Sequence, residues 1–343
     1  MNILVTGITG RIGANIARHF LHKGHKVRGM VWAGDRQAEK LRLIGAEIVE
    51  GDLKSLADVK DAADGQEVII HMGAAFQAGG PFTPEQYFDT NIKGVFNACE
   101  AALGRGARLK HLVFTSTDAT LSKYPPGGMT FPVTESNVPQ GTTDWYGFSK
   151  IEGEHLVNRY VRHDALKATV IRFPMVWGAG EVLDYPQFRL SHWLNTFKER
   201  TDPVGAATFR SLKALDDGRE RLVIACDEKG RPWRKHCIEA RDIVHAYDKA
   251  VANPGTYGKT YQIAGPAPFT WDEVVPLLAK HLDMPYSRIH LAGVPPTFYE
   301  FDTSAARRDF GFDPKVTMKD MIEEAARFRR EGGGELVPTK VGR

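Results

Sequence analysis

Thr6-Gly-Ile-Thr-Gly-Arg-Ile-Gly13 separates a short apolar run, Ile3-Leu4-Val5, from a stretch, Ile12 to Leu21, whose apolar residues recur at helical spacing. Strand, glycine-rich turn and helix in that order form a cradle for phosphate. Gly7 permits the tight turn, Gly10 lets the backbone approach a pyrophosphate, and Gly13 lets helix and strand pack closely. The helix N-terminus then offers free N–H groups and partial positive charge to the phosphates. Thr9, Arg11 and Ile12 complete the loop, so the opening segment reads as a dinucleotide site.

Working outward, strands and helices alternate. Val27–Val31, Glu47–Val49, Val68-Ile69-Ile70, Leu112-Val113-Phe114 and Thr169-Val170-Ile171 read as further strands, with helical patterns between them. That alternation implies right-handed crossovers and an α/β fold with a doubly wound, Rossmann-type parallel sheet. Residues 1–178 form the dinucleotide-binding domain, rejoined by about 236–265, where Asp242–Val251 reads as helix and Thr260–Ala264 as strand. Residues 179–235 and 266–330 form a smaller, interleaved C-terminal substrate lobe, its last part (Trp271–Phe328) helical with Pro-rich joints. Residues 331–343, opening on Gly332-Gly333-Gly334, read as a flexible tail.

Composition narrows the partners. The 343 residues carry a net charge of +3, too balanced for a nucleic-acid partner. No apolar run reaches the roughly 20 residues that span a bilayer, and no signal segment opens the chain, so a cytoplasmic enzyme is expected. Cys99, Cys226 and Cys237 fall at no metal-ligand or redox spacing. No metal site is expected.

The ribose-reading position leaves the nucleotide open. An acid at the end of the second strand would mark NAD, and a following arginine would mark NADP. Counting from Gly13, the position falls near Val31, followed by Trp32, and neither signature is present. Arg36, in the loop beyond, is a candidate for a phosphate. Asp52 and Leu53 follow the third strand, where Asp52 is placed to accept from the adenine amino group. After the fourth strand, Gly73, Ala74 and Ala75 supply small residues where the chain passes the cofactor, and Phe76 follows towards substrate.

Tyr146-Gly-Phe-Ser-Lys150 places a phenol and an ammonium at i and i+4 on one helix face. A free tyrosine has a pKa near 10, and a lysine within about 5 Å, with the positive nicotinamide, favours the phenolate. A pKa near the working pH is what proton transfer to a substrate oxygen needs. Thr115-Ser116-Thr117-Asp118 ends the fifth strand at the carboxyl edge of the sheet, where open α/β folds bind ligands. Asn91 starts a helix and is available to bond backbone or water near the lysine. Phe173, Pro174 and Val176 follow the sixth strand and can shape a nicotinamide pocket, with Trp177 next to them.

With these motifs in order, the chain resembles the extended short-chain dehydrogenase/reductase family, the NAD-dependent epimerase/dehydratase group. The resemblance runs from the glycine loop to Phe301-Asp-Thr-Ser-Ala-Ala-Arg-Arg-Asp-Phe-Gly311, which is similar to the family's D-x-S-K-A-x-x-x-L-G segment. It implies that Tyr146 is the general acid/base, that Lys150 lowers its pKa and holds the nicotinamide ribose, and that Thr117 is the catalytic hydroxyl. It also implies a homodimer paired through the helices Pro84–Gly104 and Trp145–His163, whose apolar excess includes Val95, Phe96, Leu156, Val157 and Tyr160.

Substrate is less legible. The resembling dehydratases carry Asp-Glu after the catalytic threonine, whereas Asp118 is followed by Ala119, which disfavours sugar dehydration. At the arginine position that nucleotide-sugar enzymes use for diphosphate stands Lys235, with Arg234 and Arg231 nearby, and Glu239 replaces an expected histidine. A lysine clamp lacks arginine's bidentate geometry. The polar insertion at 179–235 suits a polar, sugar-like small molecule, with Tyr185, His192, Trp193, Arg210, Trp233 and Arg234 as candidate contacts. A sugar or nucleotide-sugar epimerase or dehydrogenase therefore competes with an NADP-dependent carbonyl reductase of the flavonol- or hydroxysteroid-type branch, and with a non-enzymatic dinucleotide sensor.

Overall fold

Strands buried on both faces of a parallel sheet need continuous apolar runs. In the computed structural model, which describes residues 1–76 and 80–340, the six expected strands become β1 (Asn2–Thr6), β2 (Lys26–Val31), β3 (Glu47–Glu50), β4 (Val68–His71), β5 (His111–Thr117) and β6 (Ala168–Phe173), of which β3, at the sheet edge, is only half-buried at Ile48 and Val49. Further strands are β7 (Val176–Trp177), β8 (Leu222–Cys226), β9 (Arg234–Lys235), β10 (Ile238–Glu239) and β11 (Thr260–Gln262). A seven-stranded sheet runs β11-β6-β5-β4-β1-β2-β3, parallel throughout. The fold is Rossmann-like.

Side-chain alternation along β1 distributes two cores. Ile3 and Val5 pack on one face with Phe20 of α1 (Arg11–His22), while Leu4 packs on the other with Val59, Val95 and Val157. Helices α2 (Glu39–Ile44), α3 (Leu56–Ala63), α4 (Pro84–Tyr87), α5 (Gly94–Leu103) and α6 (Trp145–Asp164) follow in the first half. Between α4 and α5 the helix widens into a π turn over Phe88–Lys93. The chain reverses its strand order between β1 and β4, which opens a crevice at their carboxyl ends.

A third core gathers α7 (Leu190–Phe197), α8 (Pro203–Lys213) and β8 with later elements. The chain first returns to the sheet through α9 (Ala240–Ala250) and β11, then supplies β12 (Phe269–Thr270), α10 (Trp271–Leu282) and β13 (Tyr286–His290). Trp193, Trp233 and Trp271 meet edge to face, with ring centres 5.3 and 5.9 Å apart in succession. Trp193 and Trp233 are thus core residues of this lobe. Tyr286–His290 lies in a stretch read as helical but pairs in parallel with β8. Only Ile289 is buried along it, so the strand is set by its partner rather than by its own pattern.

One further expectation needs correction. The segment read as a flexible tail is docked beyond α11 (Ser304–Phe310) and α12 (Met318–Glu331). Leu336 and Val337 are buried, and Val337 exchanges two hydrogen bonds with the side chain of Asn15, at 2.7 and 3.1 Å. Residues 341–343 lie outside the described residues. On the helices expected to pair two copies, Val95, Val157 and Tyr160 are buried in their own core, whereas Phe96 is exposed.

Candidate active site

The crevice opens into a cleft of about 1860 Å³, well above the roughly 300–1,000 Å³ of a small-molecule pocket. It has room for a dinucleotide with a substrate beside it. Its first wall is the glycine loop. Gly7 adopts φ +68°, and a Cβ there would sit 2.7 Å from the Gly73 nitrogen. A Cβ on Gly13 would lie 2.4 Å from the Gly7 carbonyl oxygen. No side chain caps α1, whose N-cap is Gly10, so its first turn points uncapped N–H groups at the crevice. These residues fit a pyrophosphate.

Gly7, Thr9, Gly10, Arg11, Ile12, Gly13, Trp32, Asp52, Leu53, Gly73, Ala74, Ala75, Thr115, Phe173, Pro174 and Val176 all line the cleft. Arg11 is ion-paired with Glu181, which also accepts from the Gly178 N–H at 2.7 Å. Arg36 is exposed and does not line the cleft, because a short helical turn (Arg36–Ala38) carries it outward. Asp35 takes the wall position instead. Its carboxylate accepts from the Thr9 hydroxyl at 2.7 Å and from the Gln37 N–H at 2.8 Å. The second strand's missing acid thus arrives just after the strand, beyond the fixed count from Gly13.

Asn91 is also absent from the lining. It sits in the π turn, buried, and its amide pins Ala75 from both sides: Oδ1 accepts from the Ala75 N–H at 2.7 Å, and Nδ2 donates to its carbonyl at 3.0 Å. Nδ2 also donates to the Ser149 hydroxyl at 2.8 Å, joining the small-residue loop to α6.

Tyr146, Lys150 and Thr117 converge on the cleft at the carboxyl end of β5. Asp144 caps α6 by accepting from the Gly147 N–H at 2.8 Å, which fixes the start of the helix that carries Tyr146. Lys150 is buried and donates to the Thr115 carbonyl at 2.9 Å; the Thr115 hydroxyl turns away to Tyr247. Burial lowers the Lys150 pKa to about 8, against an opposing pull from Glu154. Burial raises the Tyr146 pKa, the Asp118 charge adds to the rise, and a hydrogen bond from Thr117 opposes it. The lowering expected from Lys150 is therefore not found in the protein alone, where burial raises the phenol instead. Phe76 packs edge to face on Tyr146 at 5.1 Å.

The substrate end departs furthest from expectation. Asp118, Trp177 and Tyr185 line the cleft, but His192 does not, since α7 packs it on Trp193. Arg234 also lies outside the lining and is turned to Glu300 at 2.5 Å. The alternation of β9 puts its neighbour Lys235 inside. Lys123, Tyr124 and Tyr299 line the same end without having been singled out. Among the described residues no cluster of three or more metal-ligating side chains occurs, and no helix is long and apolar enough to cross a membrane.

The profile of the NAD dependent epimerase/dehydratase family matches residues 3–264. The chain belongs to this family. Among curated relatives of the epimerase/dehydratase chain, a UDP-glucose 4-epimerase of Streptomyces lividans is 26% identical over 94% of each chain. A 2-alkyl-3-oxoalkanoate reductase of Stenotrophomonas maltophilia is 27% identical, covering 93% of this chain and 97% of its own. A crystal structure of a short-chain dehydrogenase/reductase superfamily protein from Agrobacterium tumefaciens with bound NAD superposes with a TM-score of 0.82 at 28% identity. That match covers 96% of this chain and 98% of the other. The family and its enzyme class follow. Its members divide between epimerases, dehydratases and reductases, so the choice of reaction rests on the site itself.

Proposed function

We propose that the protein is an NAD-dependent oxidoreductase or epimerase that moves a hydride at a carbinol or carbonyl carbon of a polar, sugar-like substrate. The observation that carries the reading is the convergence of Thr117, Tyr146 and Lys150 beside the glycine cradle. Bound NAD supplies a hydride acceptor or donor and, when oxidised, a positive charge beside Tyr146. In the oxidising direction Tyr146 takes the carbinol proton while Thr117 holds the same oxygen; in the reducing direction Tyr146 returns the proton. The phenol's raised pKa suits the acid role in the protein alone, and the base role relies on the cofactor's charge.

Asp35 favours NAD over NADP. Its carboxylate on the wall beside Thr9 would repel a 2′-phosphate, and Arg36 points away from that place. The bound NAD of the Agrobacterium relative supports the same choice. A second reading, net reduction of a ketone, draws on the Stenotrophomonas reductase. Residues 179–235 and 266–330 then form the substrate lobe. Exposed Phe96, Trp145 and Phe148 on α5 and α6 support pairing of two copies through those helices.

The test is mass spectrometry of the nucleotide that copurifies, followed by titration with NAD and NADP. Tight NAD with no net consumption of added nucleotide supports epimerisation. Steady oxidation of added NADH by ketones moves the reading to a reductase, and tighter binding of NADP overturns the cofactor choice.

A further inference from the structure

Glu239 stands where the sequence pattern leads one to expect a histidine, and hydride transfer gives that carboxyl no part. It is 3% exposed, at the start of α9, and accepts from the Arg241 N–H at 2.5 Å and from the Arg241 Nε at 3.1 Å. The same guanidinium pairs with Glu324 of α12 at 2.5 Å and with Glu335 at 3.1 Å. Three carboxylates thus share one cation. Around them, Asp242 accepts from the Lys315 and Val316 N–H groups, Asp320 is tied to Thr317, and Arg18 of α1 faces the charge of Glu335.

Glu335 begins a strap, residues 335–340, that runs from this cluster to the nucleotide site. Gly334 and Leu336 line a small cavity together with Glu239, Glu324 and Phe328, so the strap helps to keep water from the Glu239 carboxyl. Farther along, Val337 is bonded to Asn15 of α1, and the Thr339 hydroxyl donates to Glu181, which holds Arg11 beside the glycine loop. Burial raises the Glu239 pKa to about 7; Arg241 opposes the rise and the charge of Glu324 adds to it. Lifting the strap would hydrate the carboxyl and return it towards its ordinary value of 4.5. Closure therefore holds a proton that opening releases, so it weakens as pH rises from about 4.5 to 7 and stays weaker above that window. Lys40, under the far end of the strap, acts in a separate window, between about 8 and 10.5.

We propose that the strap is a latch on the nucleotide site, closed over a neutral Glu239 and loosened when that carboxyl is charged. The latch rests on the reading of the glycine loop as the NAD cradle. Closure keeps Thr339 on Glu181 and, through it, Arg11 at the start of α1, so the closed form binds NAD more tightly than the open one. By linkage, NAD tightens the latch by the same factor. Glu239 and Glu335 are positioning residues that act through the strap.

Hydrogen exchange of the amides of 335–340 in the full chain, expressed as protection relative to an unstructured peptide at the same pH, reads the latch directly. Protection at pH 7.5 is expected at least about tenfold below that at pH 5, where one differing proton allows tenfold per pH unit. Glu239→Gln, neutral throughout, keeps the pH 5 protection at both values. Glu335→Gln, at a side chain 72% exposed, lowers protection at both values and keeps their ratio, which judges the latch even if the buried substitution does not fold. Saturating NAD raises protection at pH 7.5 at least about fivefold, the low end of ordinary coupling between sites. Equal protection at the two pH values, a ratio that survives Glu239→Gln, or a ratio lost in Glu335→Gln overturns the latch. Unchanged protection with NAD bound overturns its hold on the nucleotide site. Binding of NAD is followed separately by fluorescence titration. Its failure at both pH values sinks the cradle reading alone, since the pH comparison needs no nucleotide.

Discussion

Glu154 grips Arg172 at two points, one turn along the face of α6 that carries Lys150. Nε donates to Oε1 at 2.7 Å and the terminal nitrogen to Oε2 at 2.5 Å, with side-chain exposures of 6% for Arg172 and 1% for Glu154. Gln140 donates to the same carboxylate at 2.6 Å, and so does Ser116. Arg172 spends its other terminal nitrogen on the Glu135 carbonyl at 3.0 Å. The pair ties α6 to the ends of β5 and β6, the elements that hold Lys150, Thr117 and Phe173. It also sets the charge one helical turn from Lys150.

Removing the carboxylate leaves a buried guanidinium without its counter-charge. Breaking one partner of such a pair costs about 3–5 kcal/mol. Glu154→Gln is therefore expected to lower the unfolding free energy by an amount of that order, read as a lower urea midpoint with the m-value unchanged. A loss below about 1 kcal/mol would show that the pair contributes little.

The same carboxylate acts on the pH profile. The charge of Glu154 opposes the burial that brings the Lys150 pKa to about 8, so kcat/KM is expected to fall on an alkaline limb near that pH as Lys150 loses its proton. Glu154→Gln, which also leaves Arg172 uncompensated, shifts that limb to lower pH. Stability runs the other way. A lysine pKa depressed in the fold means the folded state binds fewer protons than the unfolded state between about 8 and 10.5. This group's destabilisation is fully present below that window and is relieved as pH rises through it. A limb unmoved by Glu154→Gln would assign it to another group.

Tyr146→Phe removes the hydroxyl proposed as proton donor and acceptor while keeping the ring that packs on Phe76. Turnover is expected to drop about 10²–10⁴-fold, the usual contribution of a positioned acid or base. NAD affinity should change little, since the cradle residues are untouched. Near-normal turnover would remove Tyr146 from the mechanism.

Gly13→Ala tests the close approach of α1 to the loop. The added Cβ would meet the Gly7 carbonyl oxygen at 2.4 Å and the Ile8 Cα at 2.6 Å, both backbone atoms that cannot swing aside. Overpacking of this kind costs about 1–3 kcal/mol. The displaced helix N-terminus should also weaken NAD measurably in a fluorescence titration. Unchanged affinity would mean that the phosphates do not sit on this turn.

How much of this was legible beforehand depends on where each signal resides. Among the six sheet strands through β6, one such as Val68–His71, buried along its whole length, is legible because it leaves a continuous apolar run, whereas the edge strand β3 shows only Ile48-Val49 between two exposed glutamates. Tyr146 and Lys150 are legible because helical spacing alone puts them on one face. Asp35 was missed because its distance from Gly13 depends on the turn after β2. Lys123 and Tyr299 carry no pattern; a loop and a distant segment bring them together. Arg234 and Lys235 are both basic and both candidates from the sequence, and only the pairing of β9 with β12 decides which points inward. The docked tail was hidden because Leu336-Val337 is too short an apolar run to stand out after three glycines.

That tail supplies the last test. Lys40 is 1% exposed, and its ammonium donates to the carbonyls of Pro338 and Thr339 at 3.3 and 2.6 Å. Burial lowers its pKa to about 8, with Asp35 and Glu181 pulling upward. The Thr339 hydroxyl donates to Glu181 at 2.6 Å, and Glu181 in turn holds Arg11 at the start of α1. Deleting residues 335–343 strips partners from Lys40, Asn15 and Glu181 together. Each buried polar group left without a partner costs about 1–3 kcal/mol, so the truncated chain is expected to lose at least about 2 kcal/mol of stability. The freed ammonium of Lys40 is then a cation near Asp35, the acid that disfavours a 2′-phosphate. The truncated protein is therefore expected to discriminate less between NAD and NADP than the full chain, measured by parallel titrations. A truncation that leaves both stability and that ratio unchanged would show that residues 335–340 do not support the nucleotide site.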